Sequence, residues 1–271
     1  MRTRFPALLA ASAMTALVAA CGGEAELSAA DEPLRVGASP VPHAEILRYI
    51  DENLAEDAGL DLEIVEFTDY VQPNVALDDG SLDANYFQTI PYLEEQEASA
   101  GYDFEALDPV HIEPLGIYSS TLTDLADLPD GATAAIPNDP TNAARALRLL
   151  EANGLITLAD TGDAAPTSLD IEGNPKNLEI SEVEAAQVPR SLADVDIAVI
   201  NGNYAIEADL VPAEDALALE EGAGNPNANL LVVRTGDEGD ERIQELEGLL
   251  HSDEVRQFIE ENYEGAVLAA F

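Results

Sequence analysis

From residue 34 onward, apolar positions switch repeatedly between the spacing of strands and that of helices. Leu34 to Ala38 is a short apolar run. Ile46, Leu47, Ile50 and Leu54 then recur at helical intervals within His43 to Ala58, which Gly59 closes. Leu62, Ile64, Val65 and Phe67 mark a second strand over Leu60 to Phe67, and Val71 to Asp79 reads as a helix stopped by Gly80. Ser81 to Phe87 is the next strand, followed by a helix from Pro91 to Ala98 with its proline in the first turn. Val110 to Ser119 returns as extended chain interrupted by Pro114 and Gly116, and Leu122 to Leu128 as a short helix. Ala132 to Ile136 predicts a strand. The helix after it, Asn142 to Asn153, has Asp139 or Thr141 as its cap and Asn153-Gly154 at its end. Leu178 to Val183, a helix around Pro189 to Ala193, and the strands Ile197 to Ile200 and Leu230 to Val233 continue the alternation. Two amphipathic helices, Glu241 to Leu250 and Ser252 to Tyr263, finish the chain. This order, with short loops, predicts an α/β architecture.

The first residues follow a different pattern. Arg2 and Arg4 precede an apolar, small-residue stretch from Phe5 to Ala20, short for a membrane span and suited to a secretory signal. Leu17-Val18-Ala19-Ala20-Cys21 ends it, and Cys21 is the sole cysteine of the 271 residues, so no disulfide can form within one chain. These residues resemble the lipobox of bacterial lipoproteins, which implies a signal over residues 1–20, a lipid on the Cys21 thiol and a tether over residues 21–33.

Charge narrows the partners. The chain carries 54 Asp and Glu against 11 Lys and Arg, a formal net charge of −43, with no basic run, so a nucleic-acid partner is not expected. A surface of one sign repels itself and is relieved by screening, which suggests folding and solubility in strong salt; the plainer reading is an acidic protein with no such adaptation.

The catalytic inventory is sparse. His43, His111 and His251 stand apart in the sequence, without a His-Glu-x-x-His string or a cysteine partner, and no dinucleotide or phosphate loop is present. No metal site and no cofactor are expected. What remains is a set of polar and aromatic residues at strand ends, where open α/β sheets bind ligands: Tyr70, Phe87, Asn138 and Asn201. Arg145, a scarce cation on the helix after Asn138-Asp139-Pro140-Thr141-Asn142, either grips a carboxylate in two-pronged fashion or pairs with a local acid. Tyr70, Tyr86, Phe87 and Tyr92 are either ordinary core or a box for an uncharged side chain.

Several long strings carry a family likeness: Pro42-His43-Ala44-Glu45-Ile46-Leu47, residues 63–74, Asp83-Ala84-Asn85-Tyr86-Phe87-Gln88 with Pro91-Tyr92-Leu93, residues 135–142 leading to Arg145, and Ile200-Asn201-Gly202-Asn203-Tyr204-Ala205. Over nearly all of its length beyond Cys21 the chain resembles the NlpA family of lipoproteins, the substrate-binding components of methionine ABC importers. The resemblance implies a periplasmic-binding-protein fold, two α/β lobes around a ligand cleft. Lobe 1 is expected over residues 34–118 and 230–271 and lobe 2 over residues 119–229, with the second crossing near Gly224 to Asn229.

By the same likeness the chain is a non-enzymatic receptor, lipid-anchored on the extracytoplasmic face, that captures L-methionine as a monomer for a permease. Another amino acid or a short peptide is the alternative ligand, and an envelope enzyme or a structural surface protein the alternative class. Arg145 is expected to hold the ligand carboxylate, Tyr70, Phe87 and Tyr92 to enclose its side chain, and Asn201 or Asn203 with Asn229 to bind its polar backbone. Asn142 and Thr89 complete the expected ligand-binding set. Two departures stand out: Thr89 where the family usually has histidine, and Asn227 where it has an aromatic residue. Both exchanges remove ring surface that could line the side-chain pocket.

Overall fold

The computed structural model describes residues 32–222 and 224–271; the signal, Cys21 and nearly all of the tether lie outside them. In chain order the elements are β1 (Leu34–Ala38), α1 (Glu45–Asn53), α2 (Ala55–Ala58), β2 (Leu62–Glu66), α3 (Gln72–Asp78), β3 (Ala84–Thr89), α4 (Ile90–Ala100), β4 (Phe104–Ile112), β5 (Gly116–Tyr118), β6 (Thr133–Pro137) and α5 (Pro140–Ala152). They continue with β7 (Thr157–Leu158), β8 (Ile171–Gly173), β9 (Glu179–Val183), α6 (Val188–Ser191), β10 (Ile197–Ile200), α7 (Gly202–Glu207), α8 (Pro212–Asp215), β11 (Ala218–Leu219), β12 (Ala228–Arg234), α9 (Glu241–Leu250), α10 (Asp253–Tyr263) and β13 (Leu268–Ala269).

These strands build two principal sheets. The first has the order β13-β4-β12-β3-β1-β2 and the second β11-β5-β10-β6-β9. β1 lies parallel between β2 and β3, and β6 parallel between β9 and β10. Strands covered on both faces read as unbroken apolar runs, which is why β10 and the Leu230–Val233 stretch of β12 stand out so clearly in the sequence. Leu34, Val36, Ile46, Leu47, Ile50 and Val233 share the core of the first lobe, and Ile117, Ile136, Leu147, Leu150 and Val199 that of the second.

The chain leaves the first sheet after Ile112 and joins the second at Gly116; it leaves the second after Leu219 and rejoins the first at Ala228. The sequence expectation placed residues 116–118 in lobe 1. In the structure β5 pairs antiparallel with β10, Gly116 opposite Ile200, and so belongs to the second sheet, while Ala228 and Asn229 already pair with β4. Sheet membership is set by these long-range partners, which the local pattern does not carry.

Three local expectations also shift. The helix read over His43 to Ala58 is divided, because Leu54 leaves helical geometry at φ −126°. Leu122 to Leu128 holds only a 3-10 turn at Leu125–Asp127, whose cap Asp124 accepts from the Ala126 N–H. β4 starts at Phe104, six residues before the expected extended chain; acids and Pro109 hide it, and the proline is accommodated where the pairing with β12 changes register.

Candidate functional site

The carboxyl ends of parallel strands β3, β6 and β10 converge from the two sheets, and the residues that follow them wall one cavity. Its lining comprises Tyr70, Phe87, Gln88, Thr89, Tyr92, Glu113, Asn142, Arg145, Asn201, Gly202, Asn203 and Asn229, around about 380 Å³ of space with its mouth included. All nine ligand-binding positions expected from sequence therefore face one space. Gln88, Glu113 and Gly202 were not expected. Glu113 sits in His111-Ile112-Glu113-Pro114, where a histidine two residues before it is the local signal that sets it apart from most other acids.

Asp139 is the cap of α5, accepting from the Asn142 N–H at 2.8 Å, with Pro140 in the first turn. This start directs Asn142 and Arg145 inward from one helical turn while Ala143, Ala146, Leu147 and Leu150 pack into the lobe core. The Asn142 amide donates to both Asp139 carboxylate oxygens, so its own oxygen accepts from Asn201 Nδ2 at 2.9 Å. That relay leaves Asn201 Oδ1 buried without a partner among the described residues. Tyr70 donates its hydroxyl to Asn203 Oδ1 at 2.6 Å, which leaves Asn203 Nδ2 in the same condition. The two asparagines thus present opposite functions: an acceptor from Asn201 and a donor from Asn203.

Arg145 shows the second of the two readings the sequence left open, an acid partner, and it also lines the cavity. Its Nε donates to the Glu220 carboxylate at 2.9 and 3.0 Å, and its Nη2 donates to Glu220 at 2.5 Å and to the Glu113 carbonyl oxygen at 2.9 Å. The two-pronged edge of the guanidinium is therefore spent on Glu220. Nη1 has no acceptor among the described residues. Burial pushes the Glu220 carboxyl up, but the bonds and charge of Arg145 outweigh it and hold Glu220 below its ordinary value.

At Glu113, on the cavity wall, the structure brings the distant His43 to the neighbouring His111. One ligand-capable atom each of His43, His111 and Glu113 lies within 4.8 Å of the others, and all three residues are buried. His111 Nε2 faces Glu113 Oε1 at 2.8 Å and its Nδ1 meets the Tyr86 hydroxyl, so the ring donates to the carboxylate and accepts from the phenol. His43 Nε2 lies 3.0 Å from Asn229 Oδ1 and 3.3 Å from Glu113 Oε1, again as the donor. With both Nε2 atoms carrying protons, the trio reads as a hydrogen-bonded support and not as a vacant metal cage. Burial depresses His43 to about 4 and His111 to about 3, so both rings are neutral. Burial raises the Glu113 carboxyl, with His43 opposing the shift. Tyr86 falls on the face opposite Phe87, as strand alternation requires, and serves this network instead of the cavity.

The aromatic wall is formed by Tyr70, Phe87 and Tyr92, with ring centroids 5.9 to 6.0 Å apart. Tyr204, outside the cavity lining, packs 4.9 Å from Tyr70, and the Tyr92 hydroxyl donates to the Tyr70 carbonyl oxygen. Thr89 stands in the cavity wall, whereas Asn227 does not. It lies on an outer groove beyond Arg145 and Glu220, bonded to Asn225, so the loss of a ring there does not bear on the inner wall. Tyr70 to Asn203, and Thr141 to the Pro91 carbonyl oxygen at 3.3 Å, are bonds from one lobe to the other; the cleft is closed.

Residues 34–271 match the family model described as NlpA lipoprotein. The chain belongs to the NlpA lipoprotein family. Within it, the methionine-binding lipoprotein MetQ of Bacillus subtilis is 41% identical over 257 residues, covering 93% of each chain. A nutrient-binding protein from Burkholderia cenocepacia, solved bound to methionine, is 45% identical, covers 88% of this chain and 100% of its own, and superposes with a TM-score of 0.85. A periplasmic substrate-binding protein of an ABC transporter from Coxiella burnetii is 42% identical, with the same coverage and a TM-score of 0.83. The fold is that of the periplasmic binding proteins, two sheet-containing lobes that meet at the cavity. No helix among the described residues is long and apolar enough to cross a membrane.

Proposed function

We propose that this family member is a non-catalytic, extracytoplasmic lipoprotein that captures methionine and delivers it to the permease of an ABC importer. The observation that carries the reading is the division of the cavity. Arg145 Nη1 and Asn203 Nδ2 supply donors, Glu113 and Asn201 Oδ1 supply acceptors, and three rings supply an apolar wall. A free amino acid with an apolar side chain matches this set. Its carboxylate meets Arg145, with the amide nitrogens of Asn203 and Asn229 beside it, and its ammonium meets Asn201 Oδ1 and the Glu113 carboxylate. Its thioether lies among Tyr70, Phe87 and Tyr92, where sulfur–ring contacts are favourable.

Burying a methionine-sized side chain contributes roughly 1.5–3 kcal/mol, and the paired charges chiefly fix orientation and selectivity. Asn142, with both amide ends engaged inside the protein, aims Asn201 and is not itself a ligand contact. The Cys21 lipid keeps the receptor, a monomer, at the membrane where the permease resides.

Mass spectrometry of the small molecule released by denaturing freshly purified protein tests the reading, followed by calorimetry with the released compound. Methionine is the expected species. A different amino acid or a short peptide would replace the ligand named here, and a protein that binds no amino acid or peptide in molar salt would end the receptor reading.

A further inference from the structure

Arg145 is held more firmly than a ligand contact requires. Three of its five N–H groups are used inside the protein: Nε and one Nη2 hydrogen on Glu220, and the other Nη2 hydrogen on the Glu113 carbonyl oxygen. Those two acceptors lie on different passages between the lobes. Glu113 belongs to the segment joining β4 to β5, and Glu220 to the segment joining β11 to β12. The passages are also bonded to each other, since the Glu220 N–H donates to the Leu115 carbonyl oxygen at 2.9 Å and the Leu115 N–H donates to Glu220 Oε2 at 3.2 Å. One guanidinium therefore rivets both inter-lobe connections, and one carboxylate fixes which of its edges is spent in doing so.

We infer that Glu220 is the positioning residue for Arg145. It occupies the Nε/Nη2 edge, presents Nη1 alone to the ligand carboxylate, and fastens the ligand-holding arginine to both inter-lobe connections. The inference rests on the amino-acid-receptor reading above. A rival role for Glu220, as an internal stand-in that the ligand carboxylate must expel, fits less well. Glu220 does not line the inner cavity, and its carboxylate is further fixed by the Leu115 N–H, so it approaches the guanidinium from the outer side. Methionine then receives a donor whose direction is set in advance, so little ordering of the arginine remains to be done on binding.

The two roles differ in sign. A positioning carboxylate strengthens binding, and a competitor weakens it. Glu220→Ala, Glu220→Gln and Arg145→Ala in the full chain are to be titrated with methionine and with methioninol, which replaces the carboxylate by a neutral alcohol. Glu220→Ala is expected to weaken methionine by at least about tenfold while methioninol moves by less than about threefold, with Glu220→Gln between wild type and Ala. If Ala does not fold, the Gln variant is read alone and is expected to lose methionine affinity selectively. Unchanged or tighter methionine binding would overturn the inference, as would parallel losses for both compounds, the mark of a merely structural role. If wild-type protein does not bind methioninol, the methionine series decides: stepwise loss from wild type through Gln to Ala supports the role, and any other order overturns it. Arg145→Ala separates the two readings. If it leaves the ratio of the two affinities unchanged, the carboxylate role of Arg145 fails; if it collapses the ratio while the Glu220 variants do not, only the positioning inference fails.

Discussion

Gly202 and Glu113 meet so closely that a Cβ on the glycine would lie 2.7 Å from Glu113 Cβ and 3.2 Å from its Oε2. The first turn of α7 therefore passes against the carboxylate that we assign to the ligand ammonium, and only a residue without a side chain allows it. Gly202→Ala must push Glu113 off its two histidine donors or shift the turn that carries Asn201 and Asn203. Calorimetry is expected to find methionine affinity lowered by at least about tenfold. Affinity equal to wild type would mean that Glu113 has no part in holding the ligand.

Tyr70 joins two duties in one side chain: its ring belongs to the aromatic wall and its hydroxyl orients Asn203 from across the cleft. Tyr70→Phe keeps the first and deletes the second, freeing the Asn203 amide to rotate. Methionine affinity is expected to fall by about three- to tenfold, the worth of one hydrogen bond. A loss as large as that of Tyr70→Ala would show that the ring had moved and that the hydroxyl was not the cause.

The buried histidines predict a response to acid. Folded His43 and His111 hold values of about 4 and about 3, below the ordinary 6.5, so between those limits the unfolded chain binds more protons than the folded one. Stability is then lost as pH falls from about 6.5 toward about 4. Glu113, raised by burial, takes its proton earlier than in the unfolded chain and opposes this loss, but it is one group against two. In denaturant titrations at fixed salt, His111→Gln should flatten the dependence by up to about 1.4 kcal/mol per pH unit relative to wild type. Superimposable pH profiles for the two proteins would exclude His111 as a source of acid sensitivity.

Self-repulsion predicts a response to salt. With a net charge of −43 over the full sequence, the folded chain is under a field that mobile ions shorten. Thermal midpoints are expected to rise steadily between about 0.1 M and about 2 M potassium chloride, most steeply at the low end, where the screening length changes fastest. A midpoint independent of salt would leave the acidity without a role in stability.

The strings that settle fold and family are local. A run such as Ile197 to Ile200 or a cap such as Asp139 before Pro140 depends on neighbours a few residues away, so periodicity and capping chemistry sufficed to place the α/β elements. The strings around Tyr70, Phe87, Arg145 and Asn201 likewise sufficed to nominate residues that face one cavity. How those residues are used was decided by contacts that no local pattern encodes. Arg145 bonds Glu220 75 positions away, His43 bonds Asn229 across 186, and Glu113, already beside His111 in the sequence, becomes special only when the distant His43 closes over the same carboxylate. With acids in such surplus, the sequence offers dozens of equivalent carboxylates. Only folding, by burying two of them beside a guanidinium and a histidine pair, makes those two chemically distinct.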